Sequence, residues 1–326
     1  MLNYVVRRLA LFVPMAAGMV IVTFSLLLLI PGDPAAVLLG LEASPADIAH
    51  LRATLGLDQP WYIQLGRYFA GLLQGDMGRS IFQNQAVSEI ILDRLGATIE
   101  LAVAALLVAV VIGVVLGVVA AMRQGTWVDT AAMLLAQIGV SMPVYWLAIL
   151  LMLAFAVQLG WLPSIGRGEP IVTAIGMALT GRPGVLLDSL SHLILPSLAL
   201  GVNSAAIISR LVRTAMVEIL QEDFVRTAYA KGLPRSRVMV RHALRNALLP
   251  VISVIGLRFG IMLGGAVLTE SIFGWPGLGQ LTIAAISQRD LPLIQGVVLT
   301  YALMFALVNL IVDLSYAVID PRVRLA

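Results

Sequence analysis

The residues of this chain whose type and spacing indicate a chemical role lie in one basic segment, Arg210–Arg245. The segment holds eight of the 21 Lys and Arg residues, in a chain of which only 12% of residues are charged. Apolar stretches flank it, and a basic segment between membrane spans stays on the cytoplasmic face because Lys and Arg resist translocation. Its chemistry is electrostatic docking, either to a cytoplasmic protein or to anionic lipid headgroups at about 1 kcal/mol per basic residue.

The order of residues within this segment predicts an elbow made of two helices. Asp223 is the expected N-cap of the first helix, and Glu222 beside it favours the positive end of the helix dipole. Lys231 and Gly232 form a common C-terminal pair. Pro234 then suits the first position of a second helix. A helix, a glycine turn and a second, basic helix therefore lead into the next apolar stretch.

A protein partner explains this segment better than lipid does. Small side chains at Ala228 and Ala230 would leave the backbone accessible to a cleft on another protein. Membrane lipid explains the charge, but it gives no reason for a Gly-Leu-Pro turn between the helices. We expect no nucleic-acid partner, because the Arg-rich stretch 235–245 lacks the interleaved aromatic residues of such surfaces.

The chain lacks the motifs of common catalytic and cofactor sites. A P-loop needs Gly followed by Lys and then Ser or Thr, whereas the only Lys, Lys231, precedes Gly232. The absence of Cys excludes disulfides, thiolate catalysis and zinc–thiolate sites. His50, His192 and His242 are far apart, and no His-Glu-x-x-His occurs. We therefore predict no catalytic residue, metal site or cofactor in this chain.

The composition indicates a polytopic helical membrane protein. Hydrophobic residues make up 60% of the 326, against roughly 45–50% in soluble domains. Several apolar runs exceed the ~20 residues that a helix needs to cross about 30 Å of hydrocarbon. We predict an all-α fold, with a single transmembrane domain over residues 1–326, an external loop 31–100 and a coupling loop 210–250. Its six predicted spans are 9–30, 101–122, 133–157, 190–209, 251–269 and 293–318.

The distribution of charge orients these spans. With both termini in the cytoplasm, the internal segments carry 13 basic and five acidic residues, and the external segments carry seven basic and 12 acidic residues. The inverse orientation would place the basic excess outside the cell, against the positive-inside rule.

The external loop 31–100 carries the signals of two short helices. Ser44 as N-cap, Pro45 as the first residue and Gly56 as a stop predict the first helix. The second is indicated by apolar residues at helical spacing, which are Trp61, Leu65, Tyr68, Phe69 and Leu72.

Four polar residues in the predicted spans are candidates for a functional role. Arg258 and Asp313 are predicted at similar depths on antiparallel spans, and we expect them to form an ion pair because an isolated intramembrane charge is costly. The alternative is that each contacts backbone carbonyls, water or another subunit. Asn203 and Ser204 are candidates for lining a water-filled path, although interhelical hydrogen bonding is the commoner use of such residues.

The basic segment resembles the Glu-Ala-Ala loop of permease subunits in bacterial ATP-binding-cassette (ABC) importers. The motif's Glu-Ala-Ala falls on Arg226-Thr227-Ala228, and its glycine falls on Gly232. Arg and Thr replace Glu and Ala, and Pro250 lies farther from the glycine than in the generic motif. Both departures are similar to the dipeptide/oligopeptide/nickel subfamily, in which Arg-Thr-Ala-x-Ala-Lys-Gly-Leu and Arg-His-Ala-Leu-Arg-Asn-Ala-Leu-Leu-Pro are typical.

The resemblance covers almost the whole chain and is to the first-permease type of that subfamily. The matching segments, in chain order, are Pro31-Gly32-Asp33-Pro34, Leu55-Gly56-Leu57-Asp58-Gln59-Pro60, Gly75-Asp76-Met77-Gly78-Arg79-Ser80, Glu270-Ser271-Ile272-Phe273-Gly274-Trp275-Pro276-Gly277-Leu278-Gly279 and Asp320-Pro321-Arg322.

The resemblance implies one subunit of a heteromeric importer in the bacterial inner membrane. This chain and a related second permease would form the channel, two ATPase subunits would bind ATP and Mg²⁺, and an external binding protein would deliver substrate. The implied coupling residues, which would seat in a groove on an ATPase, are Asp223, Arg226, Thr227, Ala228, Lys231, Gly232, Leu233 and Pro234.

The resemblance leaves the cargo open. It implies di- or oligopeptides, with nickel chelates, glutathione or another small polar solute as alternatives. Ion-coupled secondary transport is the alternative of another class, and it would need charged or broken-helix sites near the midplane. The sequence shows no Gly/Pro interruption that recurs symmetrically.

Overall fold

The computed structural model describes residues 2–29 and 44–319, and this part of the chain is helical apart from its loops and one isolated β-bridge. The predicted all-α fold is thus confirmed. The helices are α1 Leu2–Leu29, α2 Pro45–Leu55, α3 Trp61–Leu73, α4 Val87–Met122, α5 Trp127–Ser141, α6 Val144–Leu151, α7 Ile171–Leu179, α8 Pro183–Leu220, α9 Asp223–Ala230, α10 Arg245–Ile272, α11 Leu278–Gln288 and α12 Leu291–Ile319.

Two π-helical segments extend this set. Met152–Gln158 continues α6, and Val238–Leu244 follows a single turn at Arg235–Arg237 and leads directly into α10. The family-like segments at 31–34 and 320–322 lie outside the described residues.

Five of the described helices, α1, α4, α8, α10 and α12, are long and apolar enough to cross a membrane. A sixth crossing is present if α5 and α6 count together, although they are bent by 105° at their junction. α4 and α8 have 36 and 38 residues, which is about 54 and 57 Å at 1.5 Å per residue. Both therefore extend well beyond the predicted spans 101–122 and 190–209.

The contact between α4 and α8 forms the centre of the bundle. A Cβ atom on Gly113, Gly117 or Gly201 would lie 2.8, 2.6 or 2.7 Å from a backbone carbonyl of the opposite helix. Glycine is therefore needed at these positions, because any side chain would push the two backbones apart. Buried residues recur at every fourth position along α4, which are Ala97, Leu101, Ala105, Ala109, Gly113, Gly117 and Ala121.

α10 and α12 pack closely beside this central pair, and α1 packs on the outer side of α12. Gly256 and Gly260 bring α10 against Val312 and Phe305 of α12. Gly264, one turn further along, faces open space. Both glycines of the Gly113/Gly117 pair on α4 thus serve helix packing, whereas only Gly260 of the Gly260/Gly264 pair on α10 does so.

The two short helices predicted in the external loop are present. Ser44 caps α2, since its hydroxyl accepts the Asp47 N–H at 3.2 Å, and Gly56 ends the helix with a left-handed φ of 68°. α3 follows, and its Tyr68 ring lies 6.0 Å from the Phe24 ring of α1. Burial raises the pKa of the Tyr68 hydroxyl to about 12.

Two polar contacts between distant segments close one end of the bundle. The Ser80 hydroxyl donates to Oδ2 of Asp290, which lies in the turn between α11 and α12. Arg167, in the loop before α7, pairs with Glu100 in the first half of α4. These contacts place the loops that follow α3, α6 and α11 at the same end.

Candidate functional site

The glycine turn of the basic segment ends α9 in a well-defined capping motif. The Gly232 N–H donates to the Tyr229 carbonyl at 2.9 Å, and the Leu233 N–H donates to the Ala228 carbonyl at 3.3 Å. This pair of bonds is the Schellman arrangement. Gly232 has a φ of 73°, which residues with a side chain rarely adopt. The predicted glycine turn is therefore present.

A small apolar cluster holds this turn against the end of α8. Val225, Ala228 and Val238 are buried, and Leu220 and Leu233 pack against them. Because Val238 follows the turn, the cluster joins the segments before and after Gly232. We name residues 222–238 the elbow, and its shape is fixed by this cluster together with the cap.

The opposite face of the elbow is exposed and carries both aromatic and charged side chains. Phe224 and Tyr229 are 43% and 42% exposed. Arg226, Thr227 and Lys231 are exposed beside them. Arg226 also pairs with Asp223 at 3.3 Å, but both side chains are so exposed that such a pair contributes about 0–1 kcal/mol. The surface offers apolar area and positive charge together.

Three details of the predicted elbow were wrong. The N-cap of α9 is Glu222 rather than Asp223, and its side chain makes no capping bond. Pro234 lies before the following turn as its cap residue, not as its first helical residue. Ala228 points inward and is 7% exposed, so only Ala230 of the two alanines lies on the open face. Val225 and Ala228 lie three residues apart on one face of α9, and this face packs against Val238.

An ion pair joins the C-terminal part of α8, which leads into the elbow, to the start of α5. Arg213 of α8 donates from Nε and Nη2 to the two carboxylate oxygens of Asp129, at 2.6 and 2.7 Å. The Gly125 N–H donates to the same carboxylate at 3.0 Å. A bidentate Arg–carboxylate pair fixes the relative orientation as well as the distance of its two helices. The start of α5 is thereby tied to the last two turns of α8.

Asn203 and Ser204 lie on α8 close to the junction of α5 and α6. The Asn203 side-chain amide donates to the Val140 carbonyl at 3.2 Å. Ser204 is 5% exposed. Asn203 thus makes an interhelical hydrogen bond, which is the commoner use of such a residue. Its proposed place beside a water-filled path, with Ser204, stays a prediction.

The predicted ion pair between Arg258 and Asp313 does not form. Asp313 Oδ2 lies 2.7 Å from Nη1 of Arg8 on α1. The Nε of Arg258 is buried without a hydrogen-bond partner among the described residues. The direction in which each helix turns its side chain was not available from the sequence spacing.

A buried carboxylate, to which the sequence pointed only through the run around it, links α10, α4 and α11. Glu270 is fully buried. It accepts the Thr98 hydroxyl at 2.7 Å and the Gly279 N–H at 2.6 Å. Thr98 in turn accepts the Leu278 N–H at 2.8 Å. Its position in the matched Glu-Ser-Ile-Phe-Gly-Trp-Pro-Gly-Leu-Gly run was the signal that could have found it.

The indole of Trp275 completes this buried centre. Its Nε1–H donates to the Ala97 carbonyl at 2.8 Å, and the Arg167 guanidinium lies 5.6 Å from the ring centroid. A Cβ atom on Gly277 would lie 2.4 Å from the Glu270 carboxylate oxygens. The loop 273–277 therefore wraps around the carboxylate closely enough to require glycine.

Comparison with known proteins identifies the class to which this arrangement belongs. The chain belongs to the family of binding-protein-dependent transport system inner membrane components, whose family model matches residues 113–325. A model for the N-terminal part of the membrane components of these systems matches residues 1–102. The chain is accordingly a multi-pass inner-membrane protein of the permease type.

Curated relatives match over nearly the full length. A dipeptide transport system permease protein of Alkalihalophilus pseudofirmus is 46% identical, over 99% of this chain and 100% of that protein. A di/tripeptide transport system permease protein of Pseudomonas aeruginosa is 43% identical, over 99% of both chains. A glutathione transport system permease protein of Salmonella paratyphi A is 41% identical, again over 99% of both.

Proposed function

We propose that this chain forms one half of the membrane channel of an ATP-driven, binding-protein-dependent importer of di- or oligopeptides. A related permease forms the other half, two ATPase subunits bind ATP and Mg²⁺, and an external binding protein supplies cargo. In this proposal the chain itself is not an enzyme and binds no cofactor. The elbow carries the proposal, because it presents an ordered, exposed, mixed aromatic and basic face at the end of a spanning helix.

We further propose six membrane crossings with both termini in the cytoplasm. Gly166 N–H donates to the Phe273 carbonyl at 2.8 Å, at the end of the bundle where the Arg167–Glu100 contact lies. The Asp129–Arg213 pair lies towards the other end, near the elbow. The chain between residues 129 and 166 therefore passes from one end to the other, which supports counting the bent α5–α6 pair as a crossing.

The same geometry supports the orientation. The Arg8–Asp313 pair joins the start of α1 to the last part of α12, which are predicted to lie on the elbow side. The basic excess of the chain also lies on that side, and Lys and Arg are retained in the cytoplasm. An elbow facing the cytoplasm is accessible to ATPase subunits.

In the proposed mechanism, the elbow seats in a groove of an ATPase subunit and moves with it. The buried cluster at Val225 and Val238 makes the elbow move as one body with the end of α8. The Asp129–Arg213 pair then passes the displacement to α5. Closure of the ATPase dimer around ATP would thereby rearrange two spanning helices instead of one.

A substitution at Gly232 tests this coupling. A Cβ atom at Gly232 would meet nothing within 4 Å, so a side chain there acts only through backbone strain. Gly232→Val forces a β-branched residue into the left-handed region, where ordinary residues cost about 1–2 kcal/mol. We expect normal insertion but loss of transport and of ATPase stimulation by the loaded binding protein. Gly232→Asn is the matched control, because Asn tolerates this conformation.

That experiment and a measurement of uptake after ATP depletion separate the alternatives. Coupled transport at the normal rate in a well-expressed Gly232→Val complex would remove the elbow from the mechanism. Transport that persists after ATP depletion and follows the proton gradient would indicate a secondary transporter instead.

The cargo class rests on the relatives and is tested on the binding protein. Dipeptide, di/tripeptide and glutathione permeases are 41–46% identical to this chain, so glutathione is the second candidate. Thermal stabilisation of the cognate binding protein should be measured with dipeptides, glutathione and a nickel chelate. We expect dipeptides to raise its Tm most, and a rise with glutathione or nickel chelate alone would reassign the cargo.

A further inference from the structure

The junction of α5 and α6 interrupts the helical backbone part-way along the proposed crossing. α5 ends at Ser141, Met142 is extended with φ −79° and ψ 125°, and Pro143 precedes α6. Met142 lies 13 residues beyond Asp129, which is about 20 Å at 1.5 Å per residue. Non-helical backbone at such depth is tolerated only where protein covers it or where it lines a water-filled cavity.

The junction lines an open cavity of about 560 Å³. Its wall contains the side chains of Gln137, Ser141, Tyr145 and Trp146. All four are exposed in this chain, Tyr145 and Trp146 by 49% and 45%. Lipid is a poor neighbour for an amide and a hydroxyl at this depth. Tyr and Trp at membrane surfaces also prefer the headgroup level to the middle of the bilayer.

The start of α6 adds a backbone hydrogen-bond donor to this wall. The N–H group of Tyr145, which lines the cavity, has no acceptor among the described residues, whereas those of Trp146 and Leu147 donate to the Pro143 carbonyl. The described residues that line the cavity include no charged side chain. The cavity therefore offers a mainly apolar wall, with two aromatic rings and a few neutral donors and acceptors.

This combination fits the main chain of a short peptide. Peptide carbonyls and N–H groups match neutral donors and acceptors, and the aromatic rings accept side chains of different shape. Volumes of about 300–1,000 Å³ are usual for small-ligand sites. We propose that the cavity at the α5–α6 junction is a transit site, which holds peptide cargo by its main-chain amides and does not select its side chains. This inference rests on the proposed function and adds the contacting residues to it.

The exposed face of α4 provides the contrast within the same chain. Its exposed residues are aliphatic and recur every fourth position, at Val103, Leu107, Val111 and Val115. Val111 is 61% exposed and lies 11 residues from the end of α4 at Met122, about 17 Å at 1.5 Å per residue. Its depth thus matches that of Ser141, while its surroundings suit lipid.

Cysteine accessibility in the complete importer tests the transit site. The chain contains no Cys, so Ser141→Cys and Val111→Cys each introduce its only thiol, in a complex whose other subunits lack accessible thiols. The reagent is a charged, membrane-impermeant methanethiosulfonate. A thiolate forms in water and not in lipid, so we expect Ser141→Cys to react on the order of tenfold faster than Val111→Cys. Loading the binding protein with the dipeptide Ala-Phe, in the presence of ATP, should slow the reaction at position 141 several-fold.

A second variant measures the contact through uptake. Gln137→Leu removes one amide, and loss of one hydrogen bond should raise the KM for Ala-Phe uptake about fivefold. Leu135→Ile, at an exposed position on the same helix outside the cavity wall, is the control and should leave the KM unchanged.

Each outcome decides the proposal. Equal slow reaction at positions 141 and 111 would show that lipid or the companion permease covers the junction. Fast reaction at 141 that Ala-Phe does not slow, with an unchanged KM in Gln137→Leu, would leave a water path without a cargo site. In both cases the unmodified complex still imports Ala-Phe and the proposed function stands. Absence of Ala-Phe uptake by the unmodified complex would overturn the proposed function, and the transit site with it.

Discussion

Nη1 of Arg8 lies 2.7 Å from Oδ2 of Asp313, and this ion pair joins α1 to α12 where the two helices pack. The Arg8 and Asp313 side chains are 41% and 31% exposed. α1 is the most exposed of the five long spanning helices, since only 6% of its apolar stretch is buried. A polar anchor at one end therefore contributes to holding a helix that has few buried contacts.

A double-mutant cycle should detect this pair. Arg8→Leu and Asp313→Leu should be non-additive in the thermal stability of the complex, with a coupling of up to about 1 kcal/mol because both side chains are partly exposed. Arg258→Leu with Asp313→Leu is the matched cycle, and its effects should add. Coupling between Arg258 and Asp313, with additivity between Arg8 and Asp313, would contradict the structure.

The partner of Asp313 illustrates what the sequence could and could not predict. Capping of α2 by Ser44 and Gly56 follows from local signals, and the structure contains both. The position of a residue along a helix also follows from counting residues. The direction in which a side chain points in the bundle depends instead on how helices far apart in sequence pack. The spacing of Arg258 and Asp313 does not contain that packing.

The break between α5 and α6 was not predicted from the sequence, for a different reason. The uncharged run from Thr130 to Gly166 is long enough for a continuous span, so length alone favoured one helix over 133–157. Met142 precedes Pro143, and a residue before proline is disfavoured in the α conformation. That local signal was weaker than the apolar pattern, yet it marks the position where the helix breaks.

The buried carboxylate of Glu270 should be required for stability. Glu270→Leu leaves the Thr98 hydroxyl and the Gly279 N–H without their acceptor. Each buried group left without a partner lowers the free energy of unfolding by roughly 1–3 kcal/mol. Gly279→Ala should destabilise as well, because its Cβ would lie 2.4 Å from the Val267 Cα, and overpacking costs about 1–3 kcal/mol. Thermal unfolding of the purified complex measures both effects.

The matched control for this centre is Gly96→Ala. Gly96 lies on α4 two residues before Thr98, and a Cβ there would meet nothing within 4 Å. Alanine is also the better helix former, by up to about 1 kcal/mol. Gly96→Ala should therefore leave Tm unchanged or raise it. Equal losses in Gly96→Ala and Gly279→Ala would show that the packing around Glu270 is not what makes glycine necessary.

The Asp129–Arg213 pair should affect coupling more than assembly. Arg213→Lys keeps the charge but loses the two-pronged geometry. The lost hydrogen bond, which involves charged groups, costs about 1.5–3 kcal/mol of interaction free energy. We expect cargo-stimulated ATP hydrolysis to continue while fewer peptides are imported per ATP, because α5 no longer follows α8. Arg210→Lys, at an exposed position one turn earlier on α8, should keep the normal ratio. An unchanged ratio in Arg213→Lys would exclude this pair from the transmission path.

The proposed orientation of the bundle is testable with thiols on its two ends. Ala49 lies exposed on α2, and Ser236 lies exposed in the single helical turn Arg235–Arg237 of the elbow. Neither position takes part in the α2 cap or in the Gly232 turn, so Ala49→Cys and Ser236→Cys leave both motifs intact. With the elbow in the cytoplasm, an impermeant thiol reagent applied to intact spheroplasts should label Ala49→Cys. It should label Ser236→Cys only after the membrane is opened. Labelling in the reverse order would place the elbow outside the cell, out of reach of any ATPase, and the six-crossing arrangement would have to be inverted.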